Sequence, residues 1–271
     1  MATSQIPQII NLAGKSALIT GASSGIGRST AVLFRQLGAS VIAVARNADR
    51  LKELVEECET IKQPPEFQGF IHAVSADVTR EDDVDSLFTS VQQKFGDKFD
   101  ILINNAGLLE KGSILETDTK QYDRVMDLNL KAIYNITAKA AQYLINAKGN
   151  VVNVSSVNGM RSFPGVLAYN ISKAGVDQLT RCVALELAAQ GVRVNSVNPG
   201  VTVTELHRRS GMDDKAYQSF LDHSKSTHAL GRAGQSIEVA RAIAFLASDA
   251  ASFITGVTLP VDGGRHAMCP R

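Results

Sequence analysis

Two residues in the stretch LAYNISKAGVDQL (167–179) could do proton chemistry together: Tyr169 and Lys173. They are four apart, and side chains four apart share one face of a helix. A phenol ionises near pH 10, whereas an ammonium is a cation at neutral pH. At about 5 Å and an effective dielectric near 20, that cation favours the phenolate by roughly 3 kcal/mol, or about two pH units. The phenol then approaches a working acid–base at neutral pH. A half-buried tyrosine beside a snorkelling lysine has the same spacing, so the pair gains meaning only from its surroundings.

Those surroundings alternate strands with helices. Strand patterns run over 16–20, 40–45, 70–76, 100–104, 150–156, 192–197 and 257–262. Most are continuously apolar, as strands covered on both faces are. Helical periodicity fills 26–37, 48–61, 80–95, 119–147, 168–189 and 236–248. This alternation predicts an α/β fold, a doubly wound parallel sheet with helices on both faces. KQPPEFQG (62–69) reads as a turn, and 201–234 as one long irregular segment, the kind that caps a site. No composition break divides the chain, so one domain is expected over 1–271, with 1–13 as an N-terminal extension.

Bulk composition excludes several functions. The chain has 271 residues, of which 44% are hydrophobic and 20% charged, and a net charge of +1. That charge gives no electrostatic footprint for nucleic acid or an anionic membrane. The aromatic content is 6% and there is no Trp, which argues against base-stacking platforms. No apolar run reaches the ~18 residues of a membrane span. Cys58, Cys182 and Cys269 are odd in number and far apart, which fits reduced thiols. No basic residue precedes Lys15, so neither a secretory nor a transit signal is read there. The terminal HAMCPR matches no retention address, and a cytoplasmic protein is expected. The five histidines show no metal-ligand spacing, and no metal is expected.

The segment LITGASSGIGRSTAVLF joins the first strand to the first helix. Gly21, Gly25 and Gly27 let backbone approach a pyrophosphate whose charge lies at the helix N-terminus. At the end of the second strand, where an acid would bind ribose hydroxyls, stand Ala45 and Arg46. An arginine there suits a 2′-phosphate by charge-assisted hydrogen bonds. NADP(H) is therefore expected in preference to NAD(H), with Ser23 and Asn47 as further contacts.

TGASSGIG (20–27), DV (77–78), NNAG (104–107), NVSS (153–156), YNISK (169–173) and NPG (198–200) occur in that order. Together they resemble the short-chain dehydrogenase/reductase family, in its one-domain branch, from Lys15 to PVDGG (260–264). The resemblance implies a seven-stranded Rossmann sheet and a homotetramer or homodimer. It implies a catalytic set of Ser156, thirteen positions before Tyr169, with Tyr169, Lys173 and Asn129. Tyr169 would be the acid–base and Ser156 a donor to the oxyanion. Lys173 would hold the nicotinamide ribose, and Asn129 a water that relays protons through Lys173. It implies cofactor contacts at the glycine loop, including Ser24 and Ile26, and at Asp77, Val78, Asn104, Ala106 and Gly107. Pro199, Gly200, Val201 and Thr204 would hold the nicotinamide carboxamide. Ser24 stands where some NADP-dependent members carry a basic residue, which leaves Arg46 as the main phosphate anchor.

For the substrate, Leu108, Leu109, Met160, Phe163, Leu167, Val203 and Leu206 are expected pocket walls, suited to an apolar ketone, aldehyde or alcohol. Arg208 and Arg209 are candidates for an anionic tail or a solvated face. His207 is a candidate for pocket polarity. The leading expectation is an NADP(H)-dependent carbonyl reductase. A 3-oxoacyl-thioester reductase is the enzymatic alternative, and a cofactor-sensing scaffold the non-enzymatic one. The intact Ser156–Tyr169–Lys173–Asn129 set argues against the scaffold, because a sensor needs no acid. Segment 201–234 is expected to be a mobile lid with Gly211 and Gly231 as flexible points.

Overall fold

A computed structural model describes residues 10–63 and 69–268. Residues 1–9 of the expected N-terminal extension, most of the 62–69 turn, and Cys269 lie outside the described residues.

Seven strands form one parallel sheet: β1 (Ser16–Thr20), β2 (Ser40–Ala45), β3 (Ile71–Ser75), β4 (Ile101–Asn104), β5 (Asn150–Val154), β6 (Arg193–Pro199) and a last strand (Thr258–Val261). Their order is β3-β2-β1-β4-β5-β6-last strand. Every neighbouring pair is parallel, with Leu18 beside both Ile42 and Leu102. Each strand lies at or within a few residues of its expected position; the inner five are largely buried, and the two edge strands are half-buried. Along β1, Ala17 and Ile19 point into one core layer and Leu18 into the other.

The helices cover these layers. One layer holds α1 (Gly25–Gln36), α2 (Ala48–Glu59) and a late helix (Ser236–Ala247), centred on Phe34, Leu54 and Ile243. The other holds α3 (Glu81–Phe95), centred on Leu87 and Phe99. The expected helix 119–147 is unbroken but not α throughout. It is α4 (Thr119–Met126), a π turn (Asp127–Lys131) and α5 (Ala132–Ala147). Single π turns are rare inside helices and occur most often at functional sites; this one carries Asn129. Hydrophobic period cannot reveal one extra residue in a turn.

After β5 come a short α6 (Val157–Met160) and the long α7 (Leu167–Leu187). The 201–234 segment is not irregular. It contains β7 (Thr202–Val203), α8 (Leu206–Arg209) and α9 (Asp214–Thr227), and closes with β8 (Gly234–Gln235) pairing β7. Asp213 caps α9 by accepting from Ala216 N–H at 2.8 Å, a start signal that the mixed composition obscured. In chain order the late helix is α10 and the last strand β9. Among the described residues, no helix is long and apolar enough to cross a membrane.

Candidate active site

The sheet order turns around between β1 and β4, and clefts in such sheets open at the carboxyl ends of the strands there. A cavity of about 810 Å³ occupies this place, lined by the glycine loop, the ends of β2, β4, β5 and β6, α7 and the 201–212 segment. Gly21 has φ +65°, and a Cβ on it would come within 2.7 Å of Asn105 Nδ2 and 2.8 Å of Ala106 Cα. A Cβ on Gly27 would lie 2.3 Å from the Gly21 carbonyl oxygen. The close approach of loop to helix therefore demands glycine at both places. Ser23, Ser24, Gly25 and Ile26 line the cavity at the N-terminus of α1, where backbone N–H groups favour an anion.

Arg46, Asn47, Asp77, Val78, Ala106 and Gly107 line the same end. Arg46 is largely exposed and lies 3.8 Å from Asp77. Burial opposes ionisation of Asp77, but hydrogen bonds from Thr79 and the charge of Arg46 hold its carboxyl below the ordinary range. Asn47 caps α2, its Oδ1 accepting from Arg50 N–H at 2.8 Å. Asn104 does not reach the cavity. It points into the core, donating to Thr137 at 3.1 Å and Asn153 at 2.9 Å. Asn105, the other half of the same dipeptide, lines the cavity and bonds to Thr20 and Gly21. The alternation at the end of β4 sends Asn104 inward and leaves the loop position to Asn105.

A bridge unforeseen from the sequence spans this end. Glu205 accepts from Arg50 of α2 at 2.5 Å and from Arg209 of α8 at 2.7 Å. Arg209 also donates to Ser24 at 3.1 Å. Arg208 points elsewhere, pairing with Asp214 and stacking over Tyr217.

Tyr169 and Lys173 stand on one face of α7, as their spacing requires, with Nζ 5.7 Å from the ring centroid. Both are buried. The expected lowering of the phenol is overturned: burial pushes it up to about 12, against a hydrogen bond with Ser156. Burial also pulls Lys173 down to about 8, against the attraction of Asp177. Lys173 donates to the Val154 carbonyl at 2.8 Å. Desolvation of both groups outweighs the pairwise attraction that the spacing suggested.

Ser156 is the N-cap of α6, accepting from Asn158 N–H at 3.1 Å. Asn158 in turn donates to Asn170 at 2.7 Å, and Asn170 to the Phe163 carbonyl at 2.8 Å. This chain of amides joins Ser156 to the pocket wall. Neighbouring Ser155 donates instead to the Lys173 carbonyl. Asn129 is fully buried. Its Nδ2 donates to Leu108 O and Ser172 Oγ, and its Oδ1 accepts from Leu108 N–H. Both side-chain N–H groups are thus spent on protein, so the side chain offers none to the water it was expected to hold.

Pro199, Gly200, Val201 and Thr204 line the cavity opposite. Two residues of the 201–234 segment brace them. Tyr217 OH accepts from Thr204 N–H and donates to its carbonyl. His228 Nε2 accepts from Val201 N–H at 3.1 Å while Nδ1 lies 3.1 Å from Ser224 O, which fixes one neutral tautomer.

Of the expected walls, Leu108, Leu109, Phe163 and Leu206 line the cavity. Met160 is 42% exposed, and Met160, Leu167 and Val203 do not line the cavity. His207 does line it, stacked on Phe220 at 4.3 Å between ring centroids. Burial first, then Arg265 and Lys111, lower His207 to about 4. Lys111, Met212, Phe220 and Arg265 are wall residues that sequence reasoning missed. They come from three separate segments, so no local motif could unite them. Among the described residues there is no metal-ligand cluster.

Comparison with known proteins agrees with this geometry. A family model described as enoyl-(acyl carrier protein) reductase matches residues 21–266. A 3-oxoacyl-[acyl-carrier-protein] reductase of Thermotoga maritima is 39% identical over 94% of this chain and 99% of its own length. A 3beta-hydroxysteroid dehydrogenase of Eggerthella lenta is 36% identical, covering 94% and 96% respectively. A Caenorhabditis elegans short-chain dehydrogenase/reductase, crystallised with cofactor, superposes with a TM-score of 0.87 at 38% identity, covering 95% of this chain and 97% of that one.

Proposed function

Since the chain belongs to the short-chain dehydrogenase/reductase family and is an oxidoreductase with a nicotinamide cofactor, we propose that it reduces a ketone or aldehyde to an alcohol with NADP(H). The observation that carries the reading is the buried Ser156–Tyr169–Lys173 group opening into the same cavity as the glycine loop. The cradle fits a dinucleotide: only glycine fits at positions 21 and 27, and the α1 N-terminus and Arg46 suit phosphate. When bound, the reduced nicotinamide supplies the hydride.

The chain's own groups do the rest. A phenol held near 12 keeps its proton at neutral pH, which suits it to donate to the oxygen of a ketone undergoing reduction. Ser156 donates a second hydrogen bond to that oxygen as charge develops. Lys173, mostly protonated below about pH 8, orients the nicotinamide ribose and returns a proton toward Tyr169. Asn129 acts as a positioning residue, holding Leu108 against the pocket. Arg46 is the 2′-phosphate anchor, with Ser23, Ser24 and Asn47 beside it. Asp77, Val78, Asn105 and Ala106 surround the adenosine, and Pro199 to Thr204 the nicotinamide.

The 3-oxoacyl-thioester reductase reading is the second, supported by the relatives of that name. One catalytic domain, a cytoplasmic location and assembly into a homotetramer or homodimer belong to the same proposal. Assembly is supported by exposed Tyr134 on α5 and exposed Ile171 and Leu185 on α7. A carbonyl panel assayed with NADPH and NADH tests the whole. Turnover with NADPH on ketones is expected, and no turnover on any carbonyl with either cofactor would overturn it.

A further inference from the structure

The cavity has a charged end that hydride transfer does not explain. Among the described residues, six cations line the cavity as a whole: Arg46, Arg50, Lys111, Lys173, Arg209 and Arg265. Arg46 faces Asp77, while Arg50 and Arg209 share Glu205. Lys173 is bonded to Val154. Lys111 and Arg265 have no carboxylate partner among the described residues, for the nearby acids are taken. Glu110 holds Arg124 through both carboxylate oxygens. Asp262 accepts from the backbone of Gly264 and His266 and lies 3.0 Å from the His266 ring. Among the described residues, the two carboxylates lining the cavity, Asp77 and Glu205, both belong to the opposite end.

Arg265 is held in place, and the exposed Lys111 is anchored through the backbone of its loop. Gly263 and Gly264 take φ +57° and +81°, and this double left-handed turn sends the chain after β9 back into the Arg265–Ala267 turn. The Arg265 guanidinium stacks over Phe163 at 4.4 Å, and its Nε is buried without a hydrogen-bond partner. Arg161 pins the following chain by donating to the Met268 carbonyl at 2.7 Å. Lys111 sits on a loop fastened to the α7 entrance, Gly112 N–H donating to Gly165 O and Leu167 N–H to Gly112 O. His207, which lines the same cavity, is kept neutral by burial first and then by the charges of both cations. A half-buried guanidinium without a carboxylate partner is a costly arrangement unless a ligand supplies one.

Resting on the carbonyl–alcohol reading of this site, we propose that the substrate carries a carboxylate, held by Arg265 and Lys111 at the far end of the cavity. An apolar segment along Leu108, Phe163 and Phe220 then joins it to the ketone at Ser156 and Tyr169. The substrate class is thus an oxo acid and its hydroxy acid. A guanidinium stacked on a ring keeps its planar edge for a bidentate carboxylate, and the neutral His207 adds polarity without a counter-charge.

The test uses straight-chain oxo acids of increasing spacer length, each paired with its methyl ester, and one 3-oxoacyl pantetheine thioester with its 4′-phosphate. With NADPH and the wild-type enzyme, kcat/KM for the best-fitting acid should exceed that of its ester by about tenfold or more, the effect of a charge-assisted hydrogen bond. Arg265→Gln should bring that ratio close to one, and Arg265→Lys should restore part of it. Binding is read independently by calorimetry on the Tyr169→Phe enzyme loaded with NADPH, where the acid should bind more tightly than the ester only while Arg265 is present. Equal binding of acid and ester overturns the proposal, as does a phosphopantetheine preference lost with Arg265. If calorimetry shows the acid preference but no ketone is turned over, the anion site stands and the oxidoreductase reading fails.

Discussion

Asn129 and Leu108 form a closed pair, the amide of one holding both backbone groups of the other: Leu108 N–H to Oδ1 and Nδ2–H to Leu108 O, each at 2.9 Å. The π turn at 127–131 supplies the extra residue that carries Asn129, and Leu108 is in the pocket wall. Asn129→Ala leaves two part-buried backbone groups without partners and should cost about 1–3 kcal/mol. Chemical denaturation should show the loss, and kcat should fall more than KM rises. Wild-type stability with wild-type kcat would mean that the pair positions nothing.

Tyr169→Phe should keep NADPH binding, because the dinucleotide cradle is built mainly from other residues, and should lose turnover by roughly 10²–10⁴-fold, the usual worth of a positioned proton donor. Cofactor fluorescence titration and steady-state rates check this together. A variant within a few-fold of wild-type turnover would exclude the phenol as the acid.

Arg46→Asp should reverse or erase a preference for NADPH. The change removes a phosphate partner and sets a second carboxylate beside Asp77, in a place suited to ribose hydroxyls. The measurement is the ratio of kcat/KM with NADPH to that with NADH. An unchanged ratio would reduce Arg46 to a surface residue paired with Asp77.

Acid should weaken the fold before the carboxylates titrate. His207, lowered to about 4, and His228, also lowered by burial, are neutral in the folded chain, while in the unfolded chain they take up protons near pH 6.5. Their contribution is therefore complete above about pH 6.5 and is lost as pH falls toward about 4. Glu238, held at about 2 chiefly by Arg232, contributes to acid loss only below its ordinary range near 4.5. The melting temperature should fall between pH 6.5 and 5, and His207→Phe should flatten that slope. An identical slope in the variant would assign the loss elsewhere.

What could be read from the chain follows from how local each signal is. Most of the strands were legible because burial makes the inner ones largely apolar runs, and Tyr169–Lys173 because the helix itself sets their spacing. The π turn was hidden because Val125, Ile133 and Ile136 keep a helical period on either side of it. Asn104 and Asn105 are chemically identical, and only the alternation at the end of β4 tells which one faces the cavity. Segment 201–234 looked irregular because α9 buries little more than Tyr217 and Ser224, too few apolar positions to mark a period. Arg265 could not be picked out at all: its meaning depends on Phe163 and Lys111, more than a hundred residues away.

The Glu205 bridge bears on how fast cofactor is exchanged. It ties α2 to α8 across the end of the cavity where Arg46 lies, so a dinucleotide seated there is enclosed by ion pairs as well as by apolar packing. These pairs are partly exposed, and dissolved salt screens such pairs over about 10 Å at 0.1 M. Raising ionic strength is therefore expected to shorten cofactor residence more than it changes the chemical step, and an enzyme limited by release of the oxidised cofactor would turn over faster as salt loosens the bridge.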